Sequence, residues 1–205
     1  MKAPPHSVYQ LRVALIGSDP PIWRSILVPG SITLKRLHMV LQKAMGWQTS
    51  HLHLFEIGKD RYGDSDPEWP EVLDHQSVRL YQAAKQGGRF IYNYDMGDGW
   101  RHEVIVERAY SDKTFTGAPT CLAGERACPP EDCGGIGGYA ELLATLADRR
   151  HPEHRRMKEW MGGPFDPEAF DLAEANRRLW FLAPRKARVA QVEEQLKPKS
   201  RRDLH

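Results

Sequence analysis

The 205-residue sequence predicts an α+β fold, with a mixed and mostly antiparallel sheet packed by helices. Two observations favour this class. Segments with strand-like alternation occur in pairs across turn signals in the first half of the chain, and segments with helical spacing follow one another towards the C-terminus. A doubly wound sheet would instead alternate strands with helices along the whole chain.

The first predicted unit is a β-hairpin. The odd-numbered positions of Tyr9–Ile16 are all apolar, which indicates a strand with one buried face. The GSDPP segment breaks this alternation, and Trp23–Pro29 has the composition of a partner strand. We therefore expect two neighbouring strands at the start of the domain.

An amphipathic helix and a further strand come next. Residues 33–45 place their leucines on one stripe, with Thr33 as a suitable N-cap and Gly46 as a suitable stop. His51–Ile57 alternates again, which predicts a strand. The order hairpin, helix, strand is β-grasp-like, and residues 58–77 are predicted to form a long loop.

A second hairpin and a helical section complete the predicted fold. Arg89–Asp95 and His102–Tyr110 are predicted strands, and Asp98-Gly99 between them is a hairpin signal. A short helix is predicted at 78–85. After the cysteine-containing loop, helical spacing is found in three segments, GGYAELLATLAD, HPEHRRMKEWMGG and FDPEAFDLAEANRRLW.

Composition indicates an ordinary globular protein, with 40% hydrophobic and 27% charged residues. No apolar run approaches the ~18 residues that a membrane span needs, and the N-terminus lacks the apolar segment of a signal peptide. Three cysteines are too few for a disulfide scaffold. We therefore expect a cytoplasmic protein with reduced thiols and no membrane partner.

The chain is predicted to form one domain over residues 8–180, followed by a basic tail over residues 181–205 that is flexible or a helical extension. Residues 185–205 carry seven Lys/Arg and three Asp/Glu, whereas the rest of the chain is slightly acidic. The body is therefore not a basic nucleic-acid platform, and any attraction to phosphate comes from the tail.

Five sequence blocks together resemble a known family. They are PPIWRSILVP, LHMVLQKAMGW followed by HLHLFEI, YDMGDGWRHEVIVE, CLAGERACPPEDCGGIGGY and FDPEAFDL, in this order. They are similar to the plasmid pRiA4b ORF-3-like family, which includes TnpR-like proteins described as passengers of an IS1096-type insertion element. The resemblance covers about residues 8–180 and implies a compact α+β fold and a mobile-element context. Some members of the family carry a resolvase-like label, but this sequence contains no serine-recombinase or tyrosine-recombinase pattern.

The cysteines suggest a zinc site. Cys121, Cys128 and Cys133 have the spacing C-x6-C-x4-C, and His102 is the preferred fourth donor for a tetrahedral Cys3His site. His51 and His53 are rival donors. The irregular spacing favours the alternative, a loop stiffened by Pro129-Pro130 with small packed thiols.

A second group of residues is a candidate for catalysis. His51 and His53 are predicted to share one strand face, and Asp95, Asp98 or His102 of the second hairpin could complete a hydrolytic metal site. The catalytic candidates are therefore His51, His53, Asp98 and His102. The alternative is that the acids shape the Asp-Gly turn and the histidines lie on a polar face.

The leading functional prediction is a non-enzymatic binding or accessory protein of plasmids or mobile elements, with a protein or nucleic-acid partner. Its tail would add weak, salt-sensitive attraction to DNA. The alternatives are a metal-dependent hydrolase that uses the His/Asp residues and a domain with a structural zinc in the cysteine loop.

Overall fold

The strands lie within residues 7–125, with two helices among them, and further helices follow from residue 135, in the computed structural model, which describes residues 6–64, 67 and 70–189. The strands are β1 (Ser7–Leu15), β2 (Trp23–Pro29), β3 (His53–Ile57), β4 (Asp60–Gly63), β5 (Val72–Asp74), β6 (Arg89–Tyr94), β7 (Trp100–Ser111) and β8 (Thr120–Glu125). The helices are α1 (Leu34–Met45), α2 (Leu80–Ala83), α3 (Gly135–Ala147), α4 (His154–Met161) and α5 (Leu172–Trp180), and residues 185–189 are also helical.

The strands form one sheet in the order β5-β4-β3-β6-β7-β1-β2-β8. Neighbouring strands are antiparallel, except that β4 and β5 are parallel. Both predicted hairpins are confirmed, because β1 pairs with β2 and β6 pairs with β7. β7 also pairs with β1 and thereby joins the two hairpins. The predicted α+β class with a mostly antiparallel sheet is confirmed.

Three strands lie where the sequence predicted loops. β4 and β5 fall within the predicted loop 58–77, and β8 begins the cysteine-containing segment. β5 has only three residues, which is too short for an alternation pattern. β8 pairs with β2, which lies far away in the sequence. Such strands are held by their neighbours in the sheet, not by a local pattern.

Helix α1 covers one face of the sheet, as predicted. The Thr33 hydroxyl accepts a hydrogen bond from the Arg36 N–H at 3.2 Å, and Gly46 ends the helix with a left-handed φ of 112°. Leu34, Leu37 and Leu41 are fully buried in the core. Truncation of one of these leucines to Ala is expected to cost about 2–5 kcal/mol.

Helix α5 covers the edge strand β8. The Asn176 Oδ1 atom accepts a hydrogen bond from the Cys121 N–H at 2.8 Å, and its Nδ2 donates to the Cys121 carbonyl at 2.9 Å. Ala175 and Leu179 are buried on the same helix. One side-chain amide thus satisfies both backbone groups of an edge residue, which would otherwise be open to pairing with another chain.

The chain continues past α5 in contact with the domain. Ala183 and Ala187 are buried, and residues 185–189 are helical. Residues 190–205, which carry the remaining basic groups of that tail, lie outside the described residues. Within the described ranges, every helix is too short or too polar to cross a membrane.

Candidate functional site

Three connections meet at one end of the sheet. They are the α1–β3 loop (residues 46–52), the β6–β7 turn (residues 95–99) and the β8–α3 loop (residues 126–134). The Gln48 N–H donates to Glu131 Oε1 at 3.1 Å, and the Gly134 N–H donates to Asp98 Oδ2 at 3.1 Å. The β8–α3 loop is therefore bonded to both of the others.

Arg24 fixes the start of the β8–α3 loop. Its side chain donates at 2.7–3.2 Å to four carbonyl oxygens, those of Ala44, Trp23, Glu125 and Arg126. The Phe170 ring lies 4.4 Å from the guanidinium carbon. The guanidinium is buried, which lowers the pKa of Arg24, and it forms no ion pair within the described part of the chain. Backbone dipoles and one aromatic ring therefore hold this cation.

Asp95 shapes the β6–β7 turn. Its backbone has a left-handed φ of 57°, which is uncommon for a residue other than glycine. The Oδ1 atom accepts from the Gly97 N–H at 3.0 Å and from the Asp98 N–H at 3.3 Å. The second oxygen, Oδ2, faces His51, with 3.6 Å between Oδ2 and His51 Nε2. One carboxylate thus builds the turn and presents an oxygen to the α1–β3 loop.

Asp132 approaches the same histidine from the β8–α3 loop, and its Oδ1 lies 3.1 Å from His51 Nε2. His51, Asp95 and Asp132, called the ligand group below, offer three ligand atoms that all lie within 4.8 Å of one another. The His51 Nε2 atom is shielded from solvent and makes no well-aligned hydrogen bond within the described residues. One imidazole nitrogen and two carboxylate oxygens suit a divalent cation such as Zn²⁺ or Mn²⁺.

The ligand group adjoins two clefts. The main cleft, of about 590 Å³, lies between the α1–β3 loop, the β8–α3 loop and the helices α4 and α5. The side cleft, of about 520 Å³, lies between α3 and α4. Asp132 and Trp160 line both clefts, and Asp132 is largely exposed. A cation in the ligand group would therefore be reachable from solvent and from either cleft.

His53 belongs to a different cluster. With His38 and His75 it forms the buried histidine cluster, in which the His38 and His53 rings stack at 3.5 Å. His53 Nε2 lies 2.9 Å from His75 Nδ1, and His75 Nε2 lies 3.1 Å from Asp64 Oδ1. Burial lowers the pKa of His38 to about 3 and that of His53 to about 4. His53 and His75 are bonded to each other, His38 stacks on His53, and burial favours the neutral form of all three rings.

His102 and Asp98 have structural contacts. His102 is fully buried, with Nδ1 3.2 Å from the Tyr92 carbonyl, and burial lowers its pKa to about 4. Asp98 accepts from the Gly134 N–H, and a Cβ on Gly135 would lie 2.2 Å from the Asp98 carbonyl oxygen. Of the four predicted catalytic residues, only His51 therefore lies in the ligand group.

The structure does not bring the predicted zinc ligands together. Cys121 lies on β8 and His102 on β7, with β1 and β2 between them, so about 14 Å separates their strands. Burial raises the pKa of Cys121, that of Cys128 and that of Cys133, the last to about 12. All three thiols are free. Zinc binding by the cysteines stays a prediction.

Relatives share both the sequence and the fold. The family described as plasmid pRiA4b ORF-3-like protein matches residues 7–174. The chain belongs to this family. The uncharacterized protein y4hQ of Sinorhizobium fredii (strain NBRC 101917 / NGR234) is 39% identical to this chain over 188 residues. The match covers 90% of this chain and 96% of that protein.

A solved structure extends the comparison of this pRiA4b ORF-3-like protein to the fold. The crystal structure of a protein of unknown function, MM3350 from Methanosarcina mazei Go1, superposes with a TM-score of 0.77 at 34% sequence identity. The match covers 83% of this chain and 98% of that chain. The fold is therefore shared, and the family resemblance inferred from the sequence blocks is confirmed.

Asp132 is the site residue that the sequence analysis of this pRiA4b ORF-3-like protein missed. From the sequence, Asp95 is only one of three possible partners of the histidines, beside Asp98 and His102. Both acids adopt a left-handed φ, near 60°, in glycine-containing loops. An Asp beside such glycines, in EDCGG and YDMGDG, is the local signal that could have indicated the pair.

Proposed function

We propose that this protein is a binding protein that holds a divalent cation in the ligand group and uses it to bind a partner molecule in the main cleft. The observation that carries the proposal is the convergence of His51, Asp95 and Asp132 from three separate loops, with their ligand atoms within 4.8 Å. A three-residue set leaves coordination positions open on the cation, which a molecule in the cleft can fill.

The walls of the main cleft suggest the chemistry of its ligand. Arg24 lines the cleft without an ion pair in the described residues, and Trp47, Trp160 and Phe170 are also on its wall. A cation in the ligand group favours an anionic oxygen group, and the aromatic rings favour an apolar body next to it. The proposed ligand therefore carries a carboxylate or phosphate on an apolar or aromatic group.

Titration of the purified protein with Mn²⁺ and Zn²⁺ by calorimetry tests the cation site. Wild type is expected to bind one ion, and His51→Ala and Asp132→Asn are each expected to weaken binding by at least tenfold, since each removes a direct ligand. Glu141→Gln is the matched control, because Glu141 lines the side cleft with Asp132 but lies outside the ligand group. Equal affinity in all four proteins would contradict the proposal.

A metal-dependent hydrolase is the second candidate function. The observation that favours it is the large exposure of the Asp132 side chain, 69%, which gives a bound cation access to water. A cation lowers the pKa of its water and can supply a nucleophile. Release of nitrophenol from phosphate and carboxylate esters, with and without Mn²⁺, is the measurement. Turnover that requires both the ion and Asp132 would favour hydrolysis over binding alone.

A protein or nucleic-acid partner in a plasmid or mobile-element setting is part of the same proposal. Its support is the family description, which names a plasmid, and the basic residues of 185–205. Deletion of residues 185–205 is expected to abolish retention on DNA at low salt. Retention by the shortened protein would show that the tail is not the contact.

Structural zinc in the cysteine loop is a separate proposal. Cys128 is the informative position because it lies in the middle of the C-x6-C-x4-C spacing. Elemental analysis of wild type and Cys128→Ser distinguishes the sites. Zinc that is lost in Cys128→Ser would favour the cysteines, and zinc that is retained would favour the ligand group.

A further inference from the structure

We infer that Tyr94 is the positioning residue of the cation site, and that its hydroxyl group sets the distance between the loops that carry His51 and Asp132. The inference rests on the proposed function, since a positioning role has meaning only if the ligand group binds a cation. It concerns one atom, Tyr94 Oη, which is not itself a member of the ligand group.

The Tyr94 hydroxyl bonds to both flanking loops. It accepts hydrogen bonds from the Ser50 N–H at 3.0 Å and from the His51 N–H at 3.3 Å. It donates to Glu131 Oε1 at 2.6 Å. One oxygen atom thus binds the backbone of a ligand residue in the α1–β3 loop and the side chain next to a ligand residue in the β8–α3 loop.

The third ligand residue is connected to Tyr94 through the chain. Asp95 follows Tyr94 directly, and the Asp95 N–H donates to the Leu52 carbonyl at 2.9 Å. Glu131 Oε1 also accepts from the Gln48 N–H, so the bond from Tyr94 belongs to a small network. The Tyr94 hydroxyl thus bonds to the backbone of His51. Tyr94 directly precedes Asp95 in the chain, and the acceptor Glu131 directly precedes Asp132.

The tyrosine is suited to this role because its ring is fixed by packing. Its side chain is fully buried, with the ring centroid 5.0 Å from that of Trp47 and 5.8 Å from that of His51. The hydroxyl donates to Glu131 and leaves its lone pairs to the two backbone N–H groups. Outer-shell bonds of this kind orient metal ligands.

The two strand tyrosines of β6 provide a matched pair of variants. Tyr94→Phe removes the hydroxyl and keeps the ring. Tyr92→Phe removes an equally buried hydroxyl, which bonds instead to His38 Nδ1 at 2.7 Å and to the Gln42 side chain at 2.9 Å. Both variants lose a buried hydrogen-bonded group, but only one loses a contact with the loops of the cation site.

Calorimetric titration with Mn²⁺ and the visible absorption of bound Co²⁺ are the measurements. Tyr94→Phe is expected to weaken Mn²⁺ binding by about 10–100-fold and to change the Co²⁺ spectrum, because the ligands no longer meet in one geometry. Tyr92→Phe is expected to leave both unchanged. Glu131→Ala breaks the same connection without altering Tyr94, and it is expected to weaken Mn²⁺ binding in the same direction.

The outcomes separate this inference from the proposed function. Wild type that binds neither ion would overturn the proposed cation site and the inference with it. Wild type that binds, with Tyr94→Phe equal to it in affinity and spectrum, would overturn the inference alone. Equal losses in Tyr94→Phe and Tyr92→Phe would also overturn it, since they would reflect general loss of core structure. If Tyr94→Phe fails to fold, Glu131→Ala replaces it as the test. Weaker Mn²⁺ binding by Glu131→Ala would support the inference, and unchanged affinity would overturn it.

Discussion

The buried histidine cluster and the ligand group differ in what surrounds their histidines, although His51 and His53 are only two residues apart. In the buried histidine cluster, the ring nitrogens of His53 and His75 face each other, and that of His38 faces the Tyr92 hydroxyl. One carboxylate, that of Asp64, faces His75 in this cluster, whereas His51 Nε2 of the ligand group faces two carboxylates at once, those of Asp95 and Asp132. Burial favours neutral rings in the buried histidine cluster, whereas three loops bring two carboxylate oxygens and one imidazole nitrogen together in the ligand group, a set that suits a cation.

The largest expected effect is acid destabilisation through the buried rings. The folded-state pKa of His38, His53 and His102 lies near 3–4, below the unfolded value of about 6.5. The unfolded chain therefore binds these protons first. The stability that the neutral rings contribute is complete above about pH 6.5 and is lost as pH falls towards about pH 4, with a slope of up to about 1.4 kcal/mol per pH unit for each histidine.

Urea unfolding at about pH 7 and at about pH 5 measures this loss. His53→Gln, which removes one of the buried rings, is expected to reduce this pH dependence. A free energy of unfolding that is the same at both pH values would contradict the claim that the buried rings stay neutral in the folded protein.

A smaller effect is expected from the cation itself. Mn²⁺ at about 100 times its dissociation constant is expected to stabilise the folded protein by about 2.7 kcal/mol, since it binds the folded state. The measurement is urea unfolding with and without the ion. His51→Ala is expected to show no gain, whereas a gain of equal size in this variant would place the ion elsewhere.

Asp98 sharpens the comparison because the sequence made it a catalytic candidate. Asp98→Ala removes the acceptor of the Gly134 N–H, which is expected to cost about 1 kcal/mol of stability. Cation affinity is expected to stay within about twofold, because Asp98 lies outside the ligand group. A large loss of Mn²⁺ affinity in this variant would make Asp98 part of the site after all.

The smallest effect on stability is expected at Asp132. Its exposed side chain makes Asp132→Asn nearly neutral for folding, within about 0.5 kcal/mol, even though the same change should weaken cation binding. Thermal unfolding without added metal checks the first half of this expectation. A strongly destabilised Asp132→Asn protein would mean that the contact with His51 serves folding rather than binding.

The parts of the fold that the sequence predicted are those with local causes. Thr33 and Gly46 bound a leucine stripe, and the two hairpins have alternation on both sides of a turn, so each signal lies within one short segment. β8 could not be found in this way, because its pairing with β2 joins segments about a hundred residues apart.

The candidate site was predicted only in part for the same reason. His51 stood out because of its neighbour His53, but strand alternation says nothing about ring partners, and the structure gives the two rings to different clusters. Asp132 is distant in sequence from His51, and their approach depends on the Arg24 carbonyl contacts and the Tyr94 hydroxyl. The cysteine spacing suggested a zinc site, but it contains no information about the two strands that separate Cys121 from His102 in the sheet.

The amide pair between Asn176 and Cys121 has a consequence for the order of events during synthesis. The ribosome completes β8 some fifty residues before it adds Asn176. During that interval the backbone groups of the edge strand β8 are not yet paired with Asn176. A chain that stalls or is cut before helix α5 would keep this edge strand exposed, and a strand of a second nascent chain could pair with it. Helix α5 therefore closes the β8 edge of the sheet to pairing with a further strand.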